Sequence, residues 1–141
     1  MHYVTRRETF NAAHKLSLAD WSDERNREVF GKCANVNWHG HNYDLRVTVS
    51  GTPDPVTGFV MDAKQLSVIV KQHVVDRLDH SNLNLDIDWF RDRLPTTENL
   101  VTAIWERLRG PIADAGGNLY RVRLFETENI YADYYGPAGR P

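Results

Sequence analysis

Hydrophobic and polar positions alternate from the start of the chain. In "HYVTRRETFNAAH", Val4, Phe10, Ala12 and His14 share one parity, as on the inner face of a strand. That predicts a first strand delivering His14 to the apolar side. Alternation resumes in "HGHNYDLRVTVSG": Tyr43, Leu45, Val47 and Val49 lie on one face, and Asp44, Arg46, Thr48 and Ser50 on the other. His39 and His41 extend the apolar parity. Residues 17–38 between these runs form a polar excursion, with Ser22 placed to cap a short helix through "DERNREVF".

After the turn residues "TPDPVTG", Asp62 is a helix N-cap with Gln65 at the third helical position. Leu66, Val70, Val74 and Leu78 then recur every four residues, with Ile69 widening the stripe of an amphipathic helix. A second helix starts in "PTTEN", capped by Thr96 or Thr97. Its stripe is Leu100, Ile104 and Leu108, and Gly110 with Pro111 is expected to stop it. "LYRVRLFETENIYADYY" reads as two strands broken around Glu128 and Asn129, with Tyr120, Val122 and Leu124 sharing the parity of Glu126. Strands first, helices in the middle and strands last predict an α+β domain: an antiparallel four-stranded sheet with two helices on one face. A sheet with a bare face and open edges also predicts an oligomer.

The totals narrow the class. A chain of 141 residues has room for a single domain, 1–141, and 41% apolar with 26% charged residues is a globular balance. Seventeen Lys and Arg against nineteen Asp and Glu leave a charge of −2 with no basic block, so no nucleic-acid partner is expected. No apolar run spans a bilayer, and the opening residues do not resemble a secretory signal. With a lone cysteine that stays reduced, the expectation is a cytoplasmic protein without a membrane partner.

His39 and His41, two apart on a strand, point to one face, and His14 from the neighbouring strand makes a three-histidine set. Gly40 is expected to leave room for an ion. Three nitrogens with an open fourth position suit zinc, without excluding iron, copper or nickel. Cys33 is a fourth ligand, a thiolate base or nucleophile beside an open metal, or an inert thiol; the residues alone leave these open. Asp79 and His80 are an acid–imidazole pair or a surface turn. Glu126 points toward the apolar side, where a carboxylate needs a partner. The paired N–H groups of an amidine-like heterocycle edge would satisfy both its oxygens.

Six pieces, "FNAAH", "FGKCANVNWHGHNY", "VTGFVMD", "LDHSNLN", "PTTEN" and "FETEN", stand in the order of one family. The chain resembles 6-pyruvoyltetrahydropterin synthase and 6-carboxytetrahydropterin synthase over nearly its whole length. The resemblance implies a tunnelling fold whose subunits join edge to edge into barrels, usually a hexamer with active sites at subunit boundaries. It implies 7,8-dihydroneopterin triphosphate as substrate and zinc on His14, His39 and His41. Cys33 falls on the reactive cysteine, Asp79 and His80 on the acid–imidazole pair, and Glu126 on the pterin anchor. Thr96, Thr97 and Glu98 match a second pterin-contacting segment. The five residues "ANVNW" between Cys33 and "HGH" resemble the pyruvoyl-forming, biopterin-type enzymes. The 6-carboxy enzymes of the queuosine pathway typically have three, and remain the alternative. A zinc hydrolase using Glu98 or Glu126 as base, or a non-catalytic zinc- and pterin-binding module, are the readings from other classes.

Overall fold

The computed structural model describes residues 1–140. Two long strands, β1 (His2–His14) and β2 (His39–Gly51), pair antiparallel from His2↔Gly51 to His14↔His39. Between them lies α1 (Asp23–Phe30), where the Ser22 hydroxyl accepts from the Arg25 amide as its sequence position predicts. A 3₁₀ turn, Gly31–Ala34, follows and carries Cys33. Helix α2 begins as Ala63–Val70 on its Asp62 cap, passes through a π-helical turn, Lys71–Val75, and ends as Asp76–Leu78. Then come β3 (Ser81–Asn82), α3 (Thr97–Asp114), β4 (Leu119–Thr127) and β5 (Ile130–Tyr134).

The sheet order is β3-β1-β2-β4-β5. The expected four antiparallel strands are therefore corrected to a mixed sheet of five, because β3 runs parallel to β1 through Ala12↔Ser81 and Ala13↔Asn82. The two helices expected on one face are α2 and α3, and α1, expected within the polar excursion, makes a third. Helices α2 and α3 share one buried cluster with the sheet's inner face, which includes Phe10, Tyr43, Leu45, Val47, Val122 and Leu124. On the opposite face Arg123 and Asp133 meet in a two-pronged ion pair at 2.7 and 2.6 Å. Among the described residues no helix is long and apolar enough to cross a membrane.

The π turn explains the four-residue stripe of α2. Each step of four overshoots a 3.6-residue turn by about 40°, so such a stripe would wind off the core. A turn closed by i→i+5 bonds takes more residues per revolution and cancels part of that drift. Leu66, Val70, Val74 and Leu78 all reach 0% exposure.

Two local expectations are corrected. Helix α3 runs past Gly110 and Pro111 to Asp114. Proline costs about 3 kcal/mol inside a helix, but the extra turn buries Ile112 completely, and full burial of such a side chain contributes about 1.5–3 kcal/mol. Tyr120 leaves the inner parity because the β2–β4 register shifts between Thr48 and Val49. Its ring packs on Tyr3 and Tyr135, and Leu119 packs on the core in its place.

Glu8 shares the inner face of β1 with Arg6, and its side chain is only 10% exposed. Burial alone would raise its carboxyl, but hydrogen bonds from Ser67 and Arg6 and the charge of Lys71 outweigh burial and hold it below the ordinary glutamate value. A depressed carboxylate stabilises the fold above its unfolded pKa, and that contribution is lost as pH falls through the folded value. Glu8→Gln should cost about 1–3 kcal/mol at neutral pH. The difference should vanish in acid, where both chains are uncharged at this position; thermal denaturation at pH 7 and below pH 4 checks it.

Candidate functional site

The β1–β2 register places His14 opposite His39 and sets His41 beside Ala12. All three side chains project to the inner face, where their ring centroids stand 4.5, 4.9 and 5.1 Å apart. One ligand nitrogen from each lies within 4.8 Å of the others. His14 is fully buried, and its Nδ1 lies 2.9 Å from the Pro95 carbonyl oxygen. A carbonyl only accepts, so Nδ1 carries the proton and Nε2 presents its lone pair to the other rings. His14 Nε2, His39 Nδ1 and Nε2, and His41 Nε2 are buried without a hydrogen-bond partner. Buried nitrogens do not ordinarily stay unpartnered. Burial comes first in holding all three imidazoles below their ordinary pKa, so they are neutral at pH 7 as metal ligands must be. The donor set therefore fits zinc.

Gly40 serves a different need from the one expected. Strand alternation turns it away from the histidines, and a Cβ there would stand 3.1 Å from the Ala12 carbonyl oxygen. Glycine lets the two backbones approach, and the ion's space comes from the histidine face.

Glu126 reaches the same face from β4. Its Oε2 accepts from the Thr97 hydroxyl at 2.6 Å, and its Oε1 stands 3.5 Å from His41 Nε2. Thr96 caps α3 by accepting from the Asn99 amide, while Glu98 is exposed. An open cavity of about 640 Å³, bordered by His41, Tyr43, Arg46, Phe125 and Glu126, lies alongside, a size typical of small-molecule sites. Cys33 is half-buried and is not among the converging donors. Burial, and then the negative charge of Glu126, push its thiol above the ordinary cysteine value.

Asp79 and His80 stand apart. Asp79 Oδ1 accepts from the Asn11 amide at 2.8 Å, and Oδ2 pairs with His80 Nδ1 at 2.9 Å. The His80 amide donates to the Asn11 carbonyl, and the residue sits at φ 59 with its side chain 82% exposed. Among the described residues no hydrogen bond or ion pair joins this dyad to Cys33. The Cys33 carbonyl instead accepts from Leu16, five residues beyond Asn11.

The structure adds three participants to those read from the sequence. Pro95 fixes the His14 tautomer through its backbone, which no residue-type pattern reports. Tyr43, read as core, is fully buried and stacked on Phe10 at 4.9 Å, yet its hydroxyl has no partner. Its ring lies 5.6 Å from that of His41 and 6.4 Å from that of His14, and burial, then the charge of Glu126, raises its phenol. Trp38 takes φ 67 immediately before His39, a left-handed conformation that costs about 1–3 kcal/mol in a bulky residue. A bulky left-handed residue directly before His39 is a signal only coordinates give.

A strand pair that turns an unpartnered nitrogen from each of three imidazoles to one point, beside a tethered carboxylate, defines a candidate three-histidine metal site. The pattern of one family, 6-pyruvoyl tetrahydropterin synthase, matches residues 3–137. The chain is 43% identical to the 6-pyruvoyl tetrahydrobiopterin synthase of Homo sapiens over 133 residues, covering 94% of this chain and 90% of the human one. It is 30% identical to the 6-carboxy-5,6,7,8-tetrahydropterin synthase of Bacillus subtilis over 113 residues, covering 77% and 73%. The solved 6-pyruvoyl tetrahydropterin synthase of Caenorhabditis elegans superposes with a TM-score of 0.88 at 36% identity, covering 96% of this chain and 95% of that one. The chain belongs to the 6-pyruvoyl tetrahydropterin synthase family.

Proposed function

We propose that the chain is a zinc-dependent lyase converting 7,8-dihydroneopterin triphosphate to 6-pyruvoyltetrahydropterin with loss of triphosphate. The observation that carries this reading is the convergence of three unpartnered imidazole nitrogens beside the Glu126 carboxylate. Relatives named for that product, at 43% identity in the human case, support the choice of reaction. His14, His39 and His41 would hold the zinc, which supplies Lewis acidity to the substrate's side-chain hydroxyls.

The protein's own groups divide the remaining work. Glu126 accepts the paired N–H groups of the pterin and sets the ring in register, with the 96–98 segment beside it. Cys33 takes a proton from the substrate side chain and His80 held by Asp79 relays protons; oxidation of one side-chain alcohol is matched by reduction of the dihydropterin C=N bond, and elimination of triphosphate leaves an enol that becomes the second carbonyl. The thiol held protonated in the single chain needs a proton acceptor before it can act as a base. The exposed Asp79–His80 dyad of a second copy, set against Cys33, would bring an imidazole into that role. This reading places active sites at subunit boundaries of a hexamer whose barrels form along the open sheet edges. A free Cys33 suits the cytoplasm.

Anaerobic incubation of zinc-loaded protein with 7,8-dihydroneopterin triphosphate, read by mass spectrometry and an acetaldehyde assay, tests this. Recovery of 6-pyruvoyltetrahydropterin without acetaldehyde is expected. Acetaldehyde with 6-carboxytetrahydropterin would assign the Bacillus-type reaction instead. Simple phosphate hydrolysis would favour a zinc hydrolase, and unconsumed substrate a binding module.

A further inference from the structure

Two adjacent threonines open α3, and their hydroxyls do different things. Thr96 accepts from the Asn99 amide and caps the helix. Thr97 is 6% exposed, and its hydroxyl lies 2.6 Å from Glu126 Oε2. A carboxylate offers no proton, so Thr97 is the donor. No other hydrogen bond reaches the Glu126 side chain from the described residues. Its other polar neighbour, His41 Nε2 at 3.5 Å, belongs to the metal-ligand set. The last torsion of a glutamate is broad and soft, whereas a buried β-branched side chain at a helix start is stiff at χ1. A stiff donor on a rigid helix thus fixes a group that would otherwise swivel.

We propose that Thr97 is a positioning residue, which holds the Glu126 carboxylate at the angle that meets the pterin's paired N–H edge and makes no contact with substrate itself. The inference rests on the pterin-lyase reading above and refines the role of the 96–98 segment. A carboxylate oxygen has two lone pairs, so Oε2 accepts from Thr97 on one side and keeps a position for the ligand on the other. Oε1 stands 3.5 Å from His41 Nε2, and both residues border the cavity.

The test is a double-mutant cycle on zinc-loaded protein, with neopterin as a fluorescent probe and its Kd as the readout. Thr97→Val should weaken binding about tenfold, the loss expected for one hydrogen bond to a charged acceptor. Thr97→Ser, which keeps the hydroxyl, should restore most of that loss. In a Glu126→Gln background the Thr97→Val change should add nothing, because the group it positions is gone. Multiplying defects in the double variant would show a direct Thr97 contact with the ligand and overturn the proposal. So would unchanged binding by Thr97→Val, or failure of Thr97→Ser to recover. A parent protein that does not bind neopterin would instead overturn the pterin reading, and this inference with it.

Discussion

Cys33→Ala protein should retain as much zinc as the parent and lose turnover of the pterin triphosphate by roughly 10²–10⁴-fold, the usual contribution of a positioned acid or base. The separation of the two readouts comes from geometry. The donors that converge are His14, His39 and His41, and the Cys33 sulfur is outside that group. Removing it therefore leaves the ligand set whole. The side chain is half-buried on a 3₁₀ turn, so its loss opens little space in the core, and the fold should survive. Metal analysis with single-turnover kinetics decides the matter. Zinc lost together with activity would make Cys33 a fourth ligand and the site a closed structural one. Full activity without the thiol would remove it from the chemistry and favour the hydrolase.

The three histidines were legible because a strand has a period of two. His39 and His41 could only share a face, and the parity of Phe10 and Ala12 fixed where His14 pointed. Glu126 was legible for the same reason, although Tyr120, six residues earlier in the same strand, left the shared parity. The β2–β4 irregularity lies upstream of Val122, and a second one, in the β4–β5 pairing, lies between Phe125 and Thr127; Val122, Leu124 and Glu126 still share the inner face, while Tyr120 is thrown to the other. A bulge is decided by how two strands meet, which neither strand's sequence records alone.

Other features were hidden for different reasons. Strand β3 has two residues, too few for any periodicity, and its pairing follows from where α2 delivers the chain beside Ala12 and Ala13. The extension of α3 past Pro111 reflects burial of Ile112, a tertiary gain that overrides local propensity. The Asp79–His80 pair was recognisable as chemistry, yet its location was not. It is tied to the Asn11 backbone and turned to solvent, with no hydrogen bond or ion pair to Cys33 among the described residues.

His41→Ala should lower zinc affinity by more than about 100-fold, beyond the 10–100-fold that follows loss of a group merely orienting a ligand. Turnover should fall with it. His41 is the informative ligand to remove because it is partly exposed, with its side chain at 17%, whereas His14 is wholly buried and its deletion would also leave a cavity. Chelator-treated parent and variant should then melt alike near neutral pH, which separates a metal defect from a folding defect. Acid distinguishes them further. Burial first, with repulsion from His39, holds the His41 pKa down, while Glu126 partly offsets them. A histidine with a depressed folded pKa takes up its proton more readily when unfolded. The metal-free parent should therefore lose stability as pH falls below about 6.5, the ordinary imidazole value, until the folded pKa is passed. The variant has one such group fewer, so its stability should fall less steeply over that window. Zinc should protect the parent across it, because each bound nitrogen resists protonation. A variant that keeps zinc at parental affinity would show that two histidines suffice with another donor, for which Glu126, 3.5 Å from the removed nitrogen, is the group in reach.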